Sequence, residues 1–277
     1  LLKNVLFVIN TLGRAGTETA MLELLRHIDY RMYNISVYVL TNQGEMVKEL
    51  PPTVHLLNRK YSDCSVLTAS GRLQLLKTII QKMFHRNALL KNLGYLCHHF
   101  FKMLFSGQVR WDKLLWRVIS DGSEVFPEEY ELAVAYLEGG STYYVADHVK
   151  AKRKVAFVHT DYNRVGYNRE LDQNCYSQMN WIFTVSDEAR KSFISVYPEH
   201  AKRVSVFHNL INWDRIRSKA EQKGGFTDGY TGIRLLTVGR LIHEKALELS
   251  VQAMKLLKDE GIQARWYVLG EGEERTT

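Results

Sequence analysis

Close to its first residue the chain reads Lys3-Asn4-Val5-Leu6-Phe7-Val8-Ile9-Asn10, followed by the loop Thr11-Leu12-Gly13-Arg14-Ala15-Gly16. The continuous apolar and β-branched run predicts a strand that is buried on both faces. After the loop, apolar residues recur at the spacing of one helical face, at Met21, Leu24, Leu25 and Ile28. A buried strand that turns through glycines into an amphipathic helix is typical of a parallel α/β sheet.

The same alternation continues along the chain. Further strands are predicted at Ile35–Thr41, Thr53–Leu57, Glu131–Leu137, Lys154–His159, Trp181–Val185 and Arg203–Phe207. Because strands that alternate with helical segments pair in parallel through crossover helices, we predict a doubly wound α/β sheet.

The pattern changes between residues 212 and 231, which are polar and glycine-rich and have no sustained apolar period. It restarts with a strand at Ile233–Val238, a helix from about Lys245 to Glu260 and a strand at Ala264–Leu269. We therefore predict a Rossmann-like domain over residues 1–211, a linker over 212–231 and a second Rossmann-like domain over 232–277. One β-α-β unit cannot cover both faces of a sheet, so we expect the second domain to be cut short. The predicted buried face of its helix consists of Leu249, Ala253, Leu256 and Leu257.

The composition is that of a globular protein. The 277 residues are 45% apolar and 24% charged, which suffices for one large domain or two linked ones. Only 4 prolines occur and no low-complexity tract, which excludes a disordered or fibrous chain. No uncharged apolar run reaches the roughly 18 residues of a membrane-spanning helix, and we interpret the first residues as a strand, not a signal peptide. Three scattered cysteines favour a reducing compartment.

The net charge of +7 is concentrated in residues 72–117. This segment has nine basic residues and one acid, Asp112, so its net charge of +8 exceeds that of the whole chain. Aromatic residues are interleaved with the cations: Phe84, Tyr95, Phe100, Phe101, Phe105, Trp111 and Trp116. One interpretation is a peripheral surface that binds anionic membrane lipids, and the other is a domain core with a solvated cationic face. No nucleic-acid-binding module is present, so nucleic acid is not a predicted partner.

Candidate ligand-binding residues follow the predicted strands, because ligands of open α/β sheets bind beyond the carboxyl ends of the strands. Gly13, Gly16 and Thr17 open the first helix and fit either a tight turn or an anion or sugar site. His159 ends a strand and offers a neutral hydrogen-bonding edge, or is a loop histidine. Ser186, which precedes two acids, fits a helix cap with or without a ligand contact.

The most specific motif is Val238-Gly239-Arg240-Leu241-Ile242-His243-Glu244-Lys245. Two cations beside a helix N-terminus gain little structurally, since the helix dipole repels them, but they suit two linked phosphates. The next strand ends in Gly270-Glu271-Gly272, which is either part of the same site or a plain turn.

Other chemistries have weaker support. The first loop does not read G-x-G-x-x-G, which disfavours a nicotinamide-dependent oxidoreductase. His98 and His99 are adjacent and therefore project differently from a helix, so we predict no metal site there.

Taken together, the motifs resemble those of glycosyltransferase family 4, which are retaining enzymes of the GT-B fold. The resemblance rests on Gly13-x-x-Gly16-Thr17-Glu18, Phe157–Thr160, Thr184–Glu188, His208–Asn212 and Val238–Lys245, and on V-L-G-E-G-E-E-R from Val268 to Arg275. It extends from end to end of the sequence, and the order and spacing of the motifs are its specific part. The family often has glycine after the lysine, where this chain has Ala246.

The resemblance implies two Rossmann-like domains and a nucleotide-sugar donor, with UDP as the expected nucleotide. Arg240 and Lys245 would neutralise the diphosphate, His159 would reach the transferred sugar, and Gly13–Gly16 would approach the phosphates or the acceptor. Asn209 and the loop Gly239, Gly270, Glu271 and Gly272 would join the binding site. Neither a metal nor a cofactor is expected. The implied acceptor is a saccharide or a lipid-linked saccharide, in cell-surface polysaccharide synthesis at the inner face of the plasma membrane.

Two family glutamates belong to a region beyond residue 277. We therefore keep as an alternative a non-catalytic, membrane-associated binding module of the same fold.

Overall fold

The computed structural model describes residues 2–105 and 110–276. The chain divides into two compact units, Leu1–Trp213 and Asp214–Thr277. Each unit has its own parallel sheet. Both are α/β units, as the alternation of strands and helices predicts.

The first unit is built on a sheet of seven strands in the order β3-β2-β1-β4-β5-β6-β7. The strands are β1 (Lys3–Ile9), β2 (Tyr33–Val39), β3 (His55–Leu56), β4 (Glu129–Ala135), β5 (Lys150–Val158), β6 (Trp181–Thr184) and β7 (Val204–Val206). Every pair of neighbouring strands is parallel. The order reverses between β1 and β4, which is the topology of a Rossmann-like sheet and creates a crevice at its carboxyl edge.

Helices connect the strands of this sheet. They are α1 (Gly16–Arg26), α2 (Ala69–Phe84), α3 (Ala88–Lys91), α4 (Leu93–Phe105), α5 (Trp111–Asp121), α6 (Gly140–His148), α7 (Arg169–Asp172) and α8 (Asp187–Val196). One buried cluster includes Met21, Leu22 and Leu25 of α1, and the other is rich in tyrosine from α6 and the loops beyond β5. Burial of both faces explains why the second part of β1, residues 5–9, and the last residues of β5, 156–158, are continuously apolar, whereas the first half of β5 is charged and mostly exposed.

A buried carboxylate organises the tyrosine-rich cluster. Asp172 is fully buried and accepts hydrogen bonds from the hydroxyls of Tyr143, Tyr162 and Tyr197. The guanidinium of Arg117 lies over the ring of Tyr143, 4.3 Å from its centroid, and donates to the Asp172 carbonyl oxygen. Burial raises the pKa of Asp172, although these hydrogen bonds oppose the shift. The network is therefore part of the fold and not of the strand-end edge.

The second unit contains α9 (Trp213–Ala220, whose first residue belongs to the first unit), β8 (Ile233–Val238), α10 (Leu247–Asp259) and β9 (Ala264–Leu269). The two strands pair in parallel. Asp228 ties the segment before β8 to the sheet by accepting hydrogen bonds from Arg234, Arg265 and the Tyr267 hydroxyl. These donors hold the pKa of Asp228 well below its usual range.

The predicted buried face of α10 is only partly correct. Leu249 and Leu256 are 61% and 63% exposed, and Ala253 is also exposed. The side of α10 that faces β8 and β9 contains Ala253, Met254 and Leu257, which line an open cavity of about 290 Å³. Two strands and one helix offer a single packing layer, so the described residues of this unit leave much of the helix uncovered.

Candidate functional site

The parallel sheet of the first unit brings several predicted residues to one edge. The loops that contain Gly13, His159, Ser186 and Asn209 follow β1, β5, β6 and β7 respectively. Since all of these strands point the same way, their carboxyl ends lie along one edge of the sheet. Between β1 and β5 lies β4, whose strand ends at Ala135 and whose loop presents Glu138 to the same edge.

Glu138 is a central residue of this edge that the sequence analysis did not identify. Its side chain is 3% exposed. One carboxylate oxygen accepts the backbone N–H of His159 at 3.0 Å, and the other accepts the Thr160 hydroxyl at 2.5 Å. The Glu138 carboxylate therefore fixes the backbone at the end of β5, where the candidate histidine begins its loop.

Asn10 connects the loops of β1 and β4. Its Nδ2 donates to the Glu138 carbonyl oxygen at 3.3 Å, and its Oδ1 accepts the backbone N–H of Ser141 at 2.8 Å. Gly140, between these partners, has no room for a side chain, since a Cβ there would lie 2.9 Å from Asn10 Oδ1 and 2.5 Å from the Trp116 ring. The crevice of the sheet is thus held by side-chain amide and carboxylate bonds to backbone.

His159 has one polar atom without a partner. Its ring lies against Tyr136 and Phe157, at centroid distances of 5.1 and 6.0 Å. Its Nε2 is buried and makes no hydrogen bond within the described part of the chain. Burial lowers the pKa of His159, while the negative charge of Glu138 and a backbone hydrogen bond with Tyr136 oppose the shift. The arrangement favours a neutral imidazole that can exchange a hydrogen bond through Nε2.

The Gly13–Gly16 loop has acidic surroundings. Glu18 is buried in the first turn of α1 and accepts a hydrogen bond from the Thr11 hydroxyl at 2.9 Å. Burial raises the pKa of Glu18, and the charge of Glu45 adds to the effect. Glu45 also accepts the backbone N–H of Arg14 at 3.3 Å. Two carboxylates beside this loop favour the hydroxyl groups of a sugar over a diphosphate, because like charges repel.

The glycines of this loop have no steric requirement of their own. A Cβ at Gly16 would meet no atom within 4 Å, and one at Gly13 would make an ordinary contact with Glu45. Thr17, in the first turn of α1, is partly exposed. Glycine here leaves open space beside the helix N-terminus, which Ala15 caps without a side-chain hydrogen bond.

Ser186 and Asn209 have different environments. Ser186 is the N-cap of α8, and its hydroxyl accepts the backbone N–H of Ala189 at 3.2 Å. This is the structural role that the sequence left open beside ligand binding. Asn209 is exposed in the loop beyond β7.

The second unit presents the predicted cation pair at the carboxyl edge of its own sheet. Gly239 and Arg240 follow β8, and Lys245 closes a 3₁₀ turn before α10. The Cε of Lys245 lies 4.0 Å from the position of a Cβ on Gly239. Arg240 and Lys245 are exposed and form neither an ion pair nor a hydrogen bond with any residue that the structure describes. Two cations without a counter-charge among the described residues thus flank one βα junction.

The loop after β9 supports the cation pair through backbone contacts. Leu241 N donates to the Glu271 carbonyl oxygen at 2.9 Å, and Gly239 N donates to that of Leu269 at 3.0 Å. A Cβ on Gly270 would lie 1.8 Å from the Gly239 carbonyl oxygen, and one on Gly272 would lie 2.0 Å from that of Leu241. Gly270 and Gly272 are therefore required for close packing of the two loops.

Two acids of this second loop, Glu271 and Glu274, have other partners. The Glu271 carboxylate forms an ion pair with Arg275. The Glu274 Oε1 atom lies 3.8 Å from Nδ1 of His243. The described acids of the loop therefore leave the positive charge of Arg240 and Lys245 available to a ligand.

His98 is exposed and His99 is buried, so these adjacent side chains of α4 have different surroundings. Their ring centroids lie 5.0 Å apart on α4, and the Glu170 carboxylate of α7 joins them, so that one ligand atom of each lies within 4.8 Å of the others. The Lys102 ammonium lies 2.6 and 2.7 Å from the two Glu170 oxygens, and this positive charge already occupies the carboxylate.

Comparison with known proteins does not assign the chain to a family. Neither a scan against protein-family models nor a search of the curated proteins finds a match to this chain.

Proposed function

We propose that this chain is a retaining glycosyltransferase of the GT-B type that uses a nucleotide-sugar donor, with UDP as the expected nucleotide. The acceptor that we propose is a saccharide or a lipid-linked saccharide in cell-surface polysaccharide biosynthesis. A peripheral location at the inner face of the plasma membrane belongs to the same proposal.

One observation carries the proposal: Arg240 and Lys245 flank a βα junction with no described counter-charge. An unpaired cation pair at the start of a helix is unfavourable for stability, because it adds to the positive end of the helix dipole. The same pair is favourable for a diphosphate, to which arginine offers a planar fork and lysine a movable charge. The arrangement is therefore better explained by a ligand than by folding.

The chemical task of such a site is to accept negative charge. When the bond between the sugar anomeric carbon and the diphosphate oxygen breaks, its electron pair remains on the diphosphate. Cations that are positioned for that charge stabilise the transition state more than the ground state. In this proposal Arg240 and Lys245 have that role.

The strand-end edge of the first unit supports a role with sugar hydroxyls. His159 offers a buried Nε2 without a described partner, and Glu138 holds its backbone. The Glu18 and Glu45 carboxylates beside the first loop suit hydroxyl donors and repel phosphate. We therefore assign the Gly13–Gly16 loop to the acceptor or the sugar, and not to the diphosphate.

The test is a calorimetric titration of UDP into the protein and into its Arg240→Ala and Lys245→Ala variants. Charge-assisted hydrogen bonds contribute about 1.5–3 kcal/mol, so each variant is expected to bind UDP roughly tenfold to a hundredfold more weakly. Lys258→Ala is the matched control, because Lys258 is an exposed cation in the last turn of α10. UDP affinity that is unchanged in Arg240→Ala would overturn the proposal.

The same preparation separates the enzyme from the non-catalytic alternative. Transfer of labelled sugar from a UDP-sugar to a saccharide acceptor supports the enzyme. Binding of UDP that depends on both cations, together with no transfer, supports the binding module.

A further inference from the structure

The polarity of α2 is reversed relative to a helix that packs on a core. Its outward side has large apolar residues at the spacing of one helical stripe: Leu73, Leu76, Ile80 and Phe84. The Phe84 side chain is 70% exposed. The fully buried residues are instead Gly71, Thr78 and Lys82, while Ile79 is partly buried against the core. Exposure of the apolar stripe is costly in water, which indicates that another apolar phase covers it.

The next helical elements repeat this reversal. Leu90 of α3 is 71% exposed, and α4 exposes Leu93, Phe101, Leu104 and Phe105. On α4 only His99 is classed as buried. We call these nine residues of α2, α3 and α4 the outward apolar surface. Single exposed apolar residues are ordinary, but nine on consecutive elements are typical of an interaction surface.

The charged residues of the segment that carries this surface have one sign. Residues 69–105, which form α2, α3 and α4, contain no aspartate or glutamate. Arg72 and Lys77 border the α2 stripe on its two sides, as the turn of 100° per residue requires. Arg72, Lys77 and Lys91 are exposed and have no ion pair within the described residues.

The structure also corrects the simple charge count for residues 72–117. Arg117 and Lys82 are buried, and Lys113 lies over the Tyr167 ring at 4.6 Å. Lys102 is paired with Glu170. These four cations therefore interact within the fold or in an ion pair. Residues 106–109 lie outside the described residues. Fewer than nine cations are thus free at the surface, but Arg72, Lys77 and Lys91 have no acidic partner among the described residues.

We propose that the outward apolar surface docks in the interfacial plane of an anionic lipid bilayer. Its leucines and phenylalanines enter the boundary between headgroups and acyl chains, while Arg72, Lys77 and Lys91 contact lipid phosphates. A bilayer fits better than a protein partner because residues 69–105 combine an apolar strip with cations and contain no acid, and Glu170 of α7, which contacts α4, is paired with Lys102. No described helix has the length and apolarity to cross a bilayer, so the contact is peripheral. The inference concerns the first unit alone; it rests on the peripheral membrane location in the proposed function and names the surface that makes the contact.

The experiment is co-sedimentation of the chain with phosphatidylcholine vesicles, with and without phosphatidylglycerol. We expect strong binding only when phosphatidylglycerol is present, and weaker binding in high salt. The triple variant Arg72→Gln, Lys77→Gln, Lys91→Gln is expected to lose about a hundredfold in affinity, at roughly a fivefold factor for each cation. Phe84→Ser with Phe101→Ser is expected to reduce binding to the same vesicles, because it removes apolar area from the docked surface.

The matched control removes three exposed lysines elsewhere on the first unit, as Lys150→Gln, Lys191→Gln and Lys202→Gln. This control should bind like the wild type, and circular dichroism checks that each variant is folded. Equal binding of the two charge triples would overturn the proposal, as would wild-type chain that stays in the supernatant. Self-association that is lost in Phe84→Ser with Phe101→Ser, without vesicle binding, would assign the surface to a second copy instead. UDP titration of the variants distinguishes a failure here from a failure of the proposed function.

Discussion

Replacing Lys82 with methionine is expected to stabilise the protein near and below neutral pH. Lys82 is 6% exposed, and its ammonium has only hydroxyl partners, Ser123 at 2.8 Å and Tyr38 at 3.4 Å. Burial lowers the pKa of Lys82 from 10.5 to about 7, and the charge of Glu124 offsets only part of this shift. A shift of this size corresponds to a cost of about 5 kcal/mol for the charged form. Methionine keeps most of the side-chain length and removes that cost.

The expected gain is smaller than the full cost. Loss of two hydrogen bonds to hydroxyls removes about 1–2 kcal/mol, so we expect a net stabilisation of about 3 kcal/mol at pH 6. The pH dependence is the sharper signature. Between about pH 7 and 10.5 the unfolded chain binds the Lys82 proton and the folded protein does not, so wild-type stability rises with pH. The methionine variant lacks this rise and should lose its advantage by about pH 9.

Urea denaturation followed by circular dichroism at pH 6, 7, 8 and 9 measures this difference. Lys77→Met is the matched control, because Lys77 is an exposed lysine on the same helix. Its free energy of unfolding should remain within about 0.5 kcal/mol of the wild type at every pH. Two outcomes would refute the reasoning: a Lys82→Met variant less stable than wild type at pH 6, or curves for the two proteins that run parallel from pH 6 to 9.

Two further predictions concern the backbone and the buried network. Ala246 has φ +47°, a left-handed conformation that costs an alanine about 1 kcal/mol, so Ala246→Gly is expected to raise the melting temperature of the second unit; an unchanged or lower value would contradict this. Asp172→Asn leaves at least one of three tyrosine hydroxyls without its acceptor and should cost about 2 kcal/mol or more in urea denaturation. Because the folded pKa of Asp172 is raised, wild-type stability falls as pH rises through that pKa, so the loss should be largest at acidic pH.

The strands could be predicted because their signal is local. A strand segment that is buried on both faces must be apolar, and the buried parts of β1 and β5, residues 5–9 and 156–158, satisfy this requirement in the sequence itself. The positions of the candidate residues followed from the same logic, since carboxyl ends of parallel strands share an edge whatever the strand order. The position of Glu138 at this edge could have been predicted by the same reasoning. It follows the strand predicted at Glu131–Leu137, but an acid at a strand end carries no signal of burial by itself.

The reversed polarity of α2 and the role of Lys82 were not predictable by the same means. The periodicity of Leu76, Ile79, Ile80 and Met83 identifies an apolar face, but periodicity does not say which phase covers that face. In the structure Thr78 and Lys82 are buried, and the Lys82 ammonium donates hydrogen bonds to the hydroxyls of Ser123 and Tyr38. Those partners lie about forty residues away in either direction along the chain. A count of cations therefore overstated the surface charge of residues 72–117. The sequence also left open whether their apolar residues form a surface or a core, because polarity along a helix is local, whereas the choice of its buried side depends on distant residues.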